Sequence, residues 1–294
     1  MRTTNLKTPN AILTADWHLR DDIPACRTDN FEPAQWRKVK FISDLQETYN
    51  CPILHAGDLF DHWKPSPNLL SKAIEFLPKR FYTIFGNHDL PQHNLELAYK
   101  CGINVLEKAG KLEIMDDVHW NQLPRNMSSI CIGNKTHRTL IWHVMTYQGK
   151  KPFPGCTDSP AGGLLRKYPE YDLIVTGHNH QSFTETYQNR LLVNPGSITR
   201  QESDQASFQP KVYLYFADTN TVQAVDIPIE KGVVSKPENT QKIEERNKRI
   251  SAFIEKLNTN WDSTIGFEKN MERYLAVNDT HEEIKKIIYK ILDK

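Results

Sequence analysis

The chain carries no C-x-x-C pair and no cysteine cluster. Its five cysteines, Cys26, Cys51, Cys101, Cys131 and Cys156, are odd in number and widely spread. That spacing argues against both a thiolate zinc site and a disulfide framework, and it suits a reducing cytosol. No apolar run approaches membrane-spanning length, and the opening stretch MRTTNLKTPN lacks the apolar centre of a secretion signal. A cytoplasmic protein with no membrane partner is therefore expected. A charge excess of either sign is also missing. Lys and Arg number 37 against 36 Asp and Glu, a formal net charge of +1. No overall basic field marks a nucleic-acid binder, although a local patch would be hidden in that total. Internal repeats and low-complexity tracts are absent too. What remains is ordinary for a globular protein: 294 residues, 38% hydrophobic and 25% charged, enough for one large domain with an appendage or for two small ones.

Short apolar runs punctuate the first two-thirds. AILTA (11–15), CPILHA (51–56), FYTIF (81–85), TLIWH (139–143), DLIVT (172–176), RLLVN (190–194) and VYLYF (212–216) read as buried strands. Between the first two, Val39, Ile42, Leu45 and Tyr49 recur at helical spacing. After the second, Ser66 stands as an N-cap with Pro67 at the first helical position. Strand and helix alternate, which predicts an α/β fold with sheet sandwiched by helices. Composition changes near residue 230. Ile243, Ile250, Phe253, Ile254 and Leu257 then share a helical face, and THEEIKKIIYKILDK adds a second amphipathic helix capped by Thr280. The expected division is a main domain over 1–229 and a helical extension over 230–294, whose apolar stripe must be covered by the domain or by a second copy in a homodimer.

The strand ends repeat one theme. ADWHL places Asp16 and His18 past the first strand. AGDLFDHW places Asp58 and Asp61 past the second, and FGNHDL places Asn87, His88 and Asp89 past the third. His143 ends a fourth, and TGHNH puts His178 and His180 past a fifth. In open α/β sheets the functional crevice lies beyond the carboxyl ends of the strands. Any one of these residues alone reads as a polar loop residue capping an element. Five segments delivering Asp, His and Asn to one rim, with Gly57, Gly86 and Gly177 just before them, point to a pair of metal ions. Oxygen and imidazole donors without thiolate suit manganese, iron or zinc.

The order D-x-H, G-D, G-N-H-D, H, G-H-x-H, running from Asp16 to His180, resembles that of the calcineurin-like metallophosphoesterases. The resemblance implies a four-layer α-β-β-α sandwich of two mixed sheets flanked by helices. It implies that Asp16, His18 and His180 hold one divalent ion, that Asn87, His143 and His178 hold the other, and that Asp58 bridges them. His88 would face the substrate and assist the leaving oxygen. Asp61 completes G-D-x-x-D, either orienting His88 through its carboxylate or standing as a surface turn residue. The stretches GDLFDHWKPSPNLL, ADWHL and NPGSITRQ are similar to those in the nuclease subunit of bacterial and phage SbcCD-type DNA repair complexes. The phosphoprotein phosphatase branch carries an arginine after G-D-x-x-D where this chain has His62, and G-N-H-E where it has Asp89. Residues 230–294 are shorter than the capping and partner-binding regions usual in the repair nucleases, which bears on whether an SbcC-type ATPase partner exists.

The expected activity is hydrolysis of DNA phosphodiesters, as exonuclease or end-proximal endonuclease, by a hydroxide held between two metal ions, most simply manganese. Arg20 and Arg27, on HLRDDIPACRTDNF, either fork onto phosphate oxygens or belong to a solvated loop. Trp17 and Trp63 flank motif residues and either stack bases or pack. His55, His62, His93, His119 and His137 are assigned structural or solvated places. The rival readings are a phosphoesterase on nucleotides, cyclic nucleotides or phosphoproteins, and a non-catalytic metal-bearing scaffold.

Overall fold

The computed structural model describes residues 8–115, 131–132, 135–136, 138–152 and 155–235. The expected C-terminal helices, and His119 and His137, lie outside the described residues. Two compact units divide the chain, Met1–Lys151 with Asp158–Pro237, and Pro152–Thr157 with Glu238–Lys294; the sheets and the site belong to the first.

Its elements in order are β1 (Ala11–Thr14), α1 (Phe31–Tyr49), β2 (Ile53–His55), α2 (Pro67–Phe76), β3 (Phe81–Thr83), α3 (Gly102–Lys108), β4 (Glu113–Ile114), β5 (Cys131–Ile132), β6 (Lys135–Thr136), β7 (Thr139–His143), α4 (Ala161–Lys167), β8 (Leu173–Gly177), β9 (Phe183–Tyr187), β10 (Arg190–Asn194), β11 (Lys211–Phe216) and β12 (Thr221–Asp226). Each of the seven apolar runs forms a strand. The strands β9 and β12 escape sequence reading because they are sheet edges with partly or largely exposed side chains, so burial leaves little apolar imprint on them. Helix α1 starts well before its apolar repeat, with Phe31, Ala34, Gln35 and Lys38 buried in its first half.

One sheet runs β12-β11-β1-β2-β3-β4, the other β7-β8-β10-β9. Strands β1 to β4 are mutually parallel and β11 is antiparallel to β1. In the second sheet β7, β8 and β10 are parallel and β9 is antiparallel. Both sheets are thus mixed. Side chains alternate across the first sheet. Ile12, Ile53, Val212 and Leu214 pack with Val39, Ile42, Leu69 and Ile103 of the helices. Ala11, Leu13, Leu54, Tyr213 and Tyr215 face the opposite way, into the core shared with Leu140, Ile174 and Leu192 of the second sheet. Helix α4 contributes Leu164 and Leu165 and packs on β9 and β10. The result is the expected sandwich of two mixed sheets flanked by helices.

Register sets the site. Thr14 lies beside His55, and His55 beside Thr83, so three strands end level and their loops leave from one edge. His143 pairs with Gly177, which brings the fourth and fifth motifs together. Among the described residues no helix is long and apolar enough to cross a membrane.

The entry to α2 is as its sequence indicates: the Ser66 hydroxyl accepts from the Leu69 amide at 3.1 Å, with Pro67 opening the helix. Replacing Ser66 by Ala is expected to cost about 1 kcal/mol, read as a lower urea midpoint with unchanged slope. An unchanged midpoint would show that the cap carries no stability.

Candidate metal centre

The loop after β1 lies beside the loop after β2. Main-chain amides of Asp16, His18 and Leu19 donate to the carbonyls of Gly57, Asp58 and Leu59 at 3.0, 3.0 and 2.9 Å. Trp17 pins the first loop. Its side chain is fully buried, its Nε1 donates to the Thr14 hydroxyl at 2.8 Å, and it meets His55 and Phe81 edge-on. With Trp17 wedged inward, the side chains on either side of it, Asp16 and His18, are committed to the site. Asp16, His18, Asp58 and His178 all have positive φ, at 50°, 44°, 58° and 80°. Each such conformation costs about 1–2 kcal/mol for a residue with a Cβ, and backbone strain of this kind gathers where function over-determines geometry.

Glycine lets the loops approach. A Cβ on Gly57 would lie 2.7 Å from Nδ1 of His143 and 2.8 Å from the Gly86 amide, and Gly57 also has a φ of +88°. A Cβ on Gly177 would meet the same His143 nitrogen at 2.7 Å.

The donors gather in overlapping groups around Asp58. Its Oδ2 lies 3.6 Å from Nε2 of His18 and 3.2 Å from Nε2 of His143. On one side, His18 and His180 approach through their Nε2 atoms at 3.1 Å, with Asp16 in the same group. On the other, Oδ1 of Asn87 is 3.0 Å from Nε2 of His143 and 2.9 Å from Nδ1 of His178. All seven residues assigned to metal by the sequence pattern therefore meet in one place. Nδ1–H of His143 donates to the Ala56 carbonyl at 2.8 Å, which turns Nε2 inward, as outer hydrogen bonds do for metal-binding imidazoles. Asp16 accepts from the His178 amide at 2.9 and 3.1 Å through its two oxygens. Converging nitrogen and oxygen donors with fixed orientation fit a pair of divalent cations.

The protonation tendencies agree with that fit. Burial pushes the Asp58 carboxyl up, but the surrounding imidazoles, His143 foremost, outweigh it and hold the group well below the usual carboxylate range. Burial lowers His18 well below the ordinary imidazole value and His178 to about 4, so both rings are uncharged at neutral pH. Burial would lower His143 as well, but the adjacent Asp58 carboxylate raises it to about 9. A cation arriving there displaces a proton.

His88 stands apart. It is exposed, its ring sits edge-on to His18 at 4.7 Å, and its amide donates to Oδ1 of Asp58 at 2.8 Å. Nδ1–H of His88 donates to the main-chain carbonyl of Asp61 at 2.7 Å. Asp61 thus meets His88 through its backbone carbonyl and not through its carboxylate, as the first of its two readings had it. That carboxylate faces Arg20 at 3.1 Å and Nδ1 of His18 at 3.7 Å. A cavity of about 230 Å³ opens over His18, Arg20, Asp61, His88 and His180.

Trp17, Trp63 and Arg27 each carried two readings: both tryptophans pack, and Arg27 is neither a phosphate fork at the cavity nor a solvated loop residue. Trp17 is fully enclosed and offers no face to a base. Trp63 is half-buried against the helical core. Arg27 is buried, forks onto Asp29 and donates to the Arg200 carbonyl, and it does not line the cavity. Arg20 does, held by Asp22, Asp61 and Gln201. His55 is buried against the Thr83 hydroxyl, and His93 takes the Asn87 carbonyl at 3.0 Å.

Sequence reading gave Asp89 no role beyond marking a branch. Its fully buried carboxylate accepts from the amides of Asp58, Leu59, Phe60 and Gly86 at 2.8, 3.3, 3.2 and 2.9 Å. It ties the G-D loop to the G-N-H-D loop. Burial first, then the Asp58 charge, raises it to about 7. Gln35 on α1 fixes Arg20 by bonding both its carbonyl and its amide. Asn194 holds the TGHNH loop through the carbonyls of Asn179 and Gln181. The only signal for Asp89 was its place inside the motif; nothing marked Gln35 or Asn194, whose partners are main-chain atoms distant in sequence.

Residues 12–215 match the calcineurin-like phosphoesterase superfamily domain. No curated protein matches the chain. Solved structures similar to it include an archaeal phosphodiesterase at 13% identity, TM-score 0.41, covering 74% of this chain and 98% of that one. Another is zinc-complexed Vps29 from Entamoeba histolytica at 15% identity, TM-score 0.36, covering 74% and 99%. A third is nuclease MPE from Pseudomonas putida at 15% identity, TM-score 0.33, covering 74% and 89%.

Asp89→Ala leaves four main-chain amides without their acceptor, and a buried donor left unpaired costs about 1–3 kcal/mol. The variant is expected to lose several kcal/mol of stability in denaturant and to bind divalent cations at least tenfold more weakly by calorimetry. Wild-type stability would show that the clamp is dispensable.

Proposed function

Since the chain belongs to the calcineurin-like phosphoesterase superfamily, we propose that it is a two-metal-dependent phosphodiesterase acting on DNA. The observation that carries the metal reading is the position of Asp58, whose Oδ2 lies between His18 and His143 with a separate donor group on each side. In this reading Asp16, His18 and His180 hold one ion, Asn87, His143 and His178 the other, and Asp58 touches both. A donor set with several imidazoles favours manganese, iron or zinc over magnesium, which prefers oxygen and keeps its waters. When bound, the ions supply an acidified water and offset charge on the phosphoryl oxygens.

The chain's own groups do the rest. His88 is free to reach the substrate because it lies at the cavity mouth. Its Nδ1–H stays on the Asp61 carbonyl, so the proton available for transfer is the one on Nε2 of the imidazolium. That proton passes to the leaving oxygen as its bond to phosphorus breaks, and the neutral ring remains. A positioned histidine of this kind contributes about 10²–10⁴-fold in rate. Arg20 stands over the same cavity with its fork set by Asp22 and Asp61, suited to a non-reacting phosphate oxygen.

DNA is favoured over a phosphoprotein or a small nucleotide by the similarity of GDLFDHWKPSPNLL to the SbcCD-type nucleases and by His62 in place of the phosphatase arginine. The net charge of +1 fits a short contact near a strand end, where few phosphates are neutralised and the salt slope is shallow. The extension expected over residues 230–294 is read as a packing or dimer element, and an SbcC-type ATPase as a candidate partner.

Chelator-treated protein should lose activity on end-labelled oligonucleotides, and manganese should restore it at least as well as magnesium. Full activity in excess chelator would end the two-metal reading. His88→Asn should lower turnover about 10²-fold or more while metal content stays unchanged, whereas Asp58→Asn should lower metal content. Equal metal loss in the two variants would place His88 among the ligands. Faster turnover of cyclic nucleotides or phosphomonoesters than of oligonucleotides, by the same preparation, would overturn the DNA assignment.

A further inference from the structure

A second cavity, of about 140 Å³, lies on the flank of α1, bounded by Arg27, Arg37, Lys38, Arg200 and the Pro228–Glu230 segment. Thr199 and Gln201 line the candidate metal cavity while Arg200, between them, lines this one, so the two are neighbours across one stretch of chain.

Its charges do not balance. Lys38 is only 7% exposed and Arg200 only 3%, and charged side chains this deeply buried are almost always paired. Neither forms an ion pair with a carboxylate among the described residues. Lys38 Nζ donates to the Pro228 carbonyl at 2.9 Å. Arg200 donates to the carbonyls of Ala206 and Glu230. Arg27 has Asp29, and Arg37 has Glu230. Among the described residues four cations therefore face two carboxylates, an excess of two positive charges around a space that admits a tetrahedral oxyanion. The imbalance is felt at Lys38, where burial and then the charges of Arg200, Arg27 and Arg37 lower the ammonium to about 8. Main-chain carbonyls satisfy some donors and supply no charge, and an ammonium keeps three donors on a rotatable stem.

We propose that this cavity is an anion site that takes a phosphate oxyanion, with Lys38 and Arg200 as its buried counter-charges and Arg37 at its rim. Chemically the phosphate is either a free ion or a phosphodiester of a polynucleotide lying beside the metal cavity. The site goes beyond the phosphodiesterase reading and does not depend on it.

The test is thermal melting of the full chain in excess chelator, with inorganic phosphate exchanged for chloride at constant ionic strength. Wild type should show a saturable rise in melting temperature, as a ligand selective for the folded state gives. Lys38→Met should cut that rise at least fivefold. In phosphate-free buffer it should melt at or above the wild-type temperature, because an uncompensated buried charge has been removed. Arg37→Gln, a surface change that leaves folding intact, should weaken apparent phosphate affinity severalfold. An oligonucleotide without terminal phosphates separates the sources. Protection by the oligonucleotide that is lost in Lys38→Met identifies a chain phosphodiester, and protection by inorganic phosphate alone identifies the free ion. No response in wild type, or equal responses in wild type and both variants, overturns the site. Melting reads binding without turnover, so a failure of the nuclease reading leaves this outcome untouched.

Discussion

Burying the Asp58 carboxylate is the constraint on which the rest of the site depends. An ionised group enclosed to this degree is tolerable only if opposite charge or donors surround it. Here the imidazoles of His18 and His143 converge on one oxygen, and the amide of His88 donates to the other. The same carboxylate draws the two donor groups together across its Oδ2. A charge placed once thereby dictates where four other loops must end.

Holding those loops takes a layer of polar groups behind the donors. Asp89 gathers the amides of two loops, Asn194 secures a third loop, and Gln35 fixes the segment that carries Arg20. Left-handed backbone at Asp16, His18, Asp58 and His178 is strain that these contacts sustain. The arrangement is prebuilt: donor directions are set by main-chain partners, as with His143 on Ala56, and rigidity of that kind is what a cation pair requires of its ligands.

Around this centre the basic residues divide into two uses. Arg20 belongs to the cavity over His88, whereas Arg27 turns away to stabilise its own loop against Asp29 and the Arg200 carbonyl. Trp17, adjacent to two motif residues, is an anchor and not a platform. Proximity in sequence to the D-x-H motif therefore did not predict proximity to the cavity, because the side chains of one short loop turn to opposite sides.

Much of this was legible in the sequence. Apolar runs of strand length mark all seven principal strands, since burial on both faces leaves a continuous imprint, and the Ser66–Pro67 signal marks the start of α2 because capping is local chemistry. The seven residues that converge at the candidate metal centre were legible because their order along the chain resembles the motif of the calcineurin-like family, and the ligand roles are what that resemblance implies. The edge strands β9 and β12 were not, since half-exposed strands need little apolar character. Asp89, Gln35 and Asn194 owe their roles to main-chain groups far away in sequence. The backbone contact of Asp61, the inward turn of Trp17 and the unbalanced cations of Lys38 and Arg200 likewise exist only once register and packing are fixed. Local composition and spacing determined which atoms could do chemistry; long-range packing alone decided which way each of them faces and which charges have no carboxylate partner among the described residues.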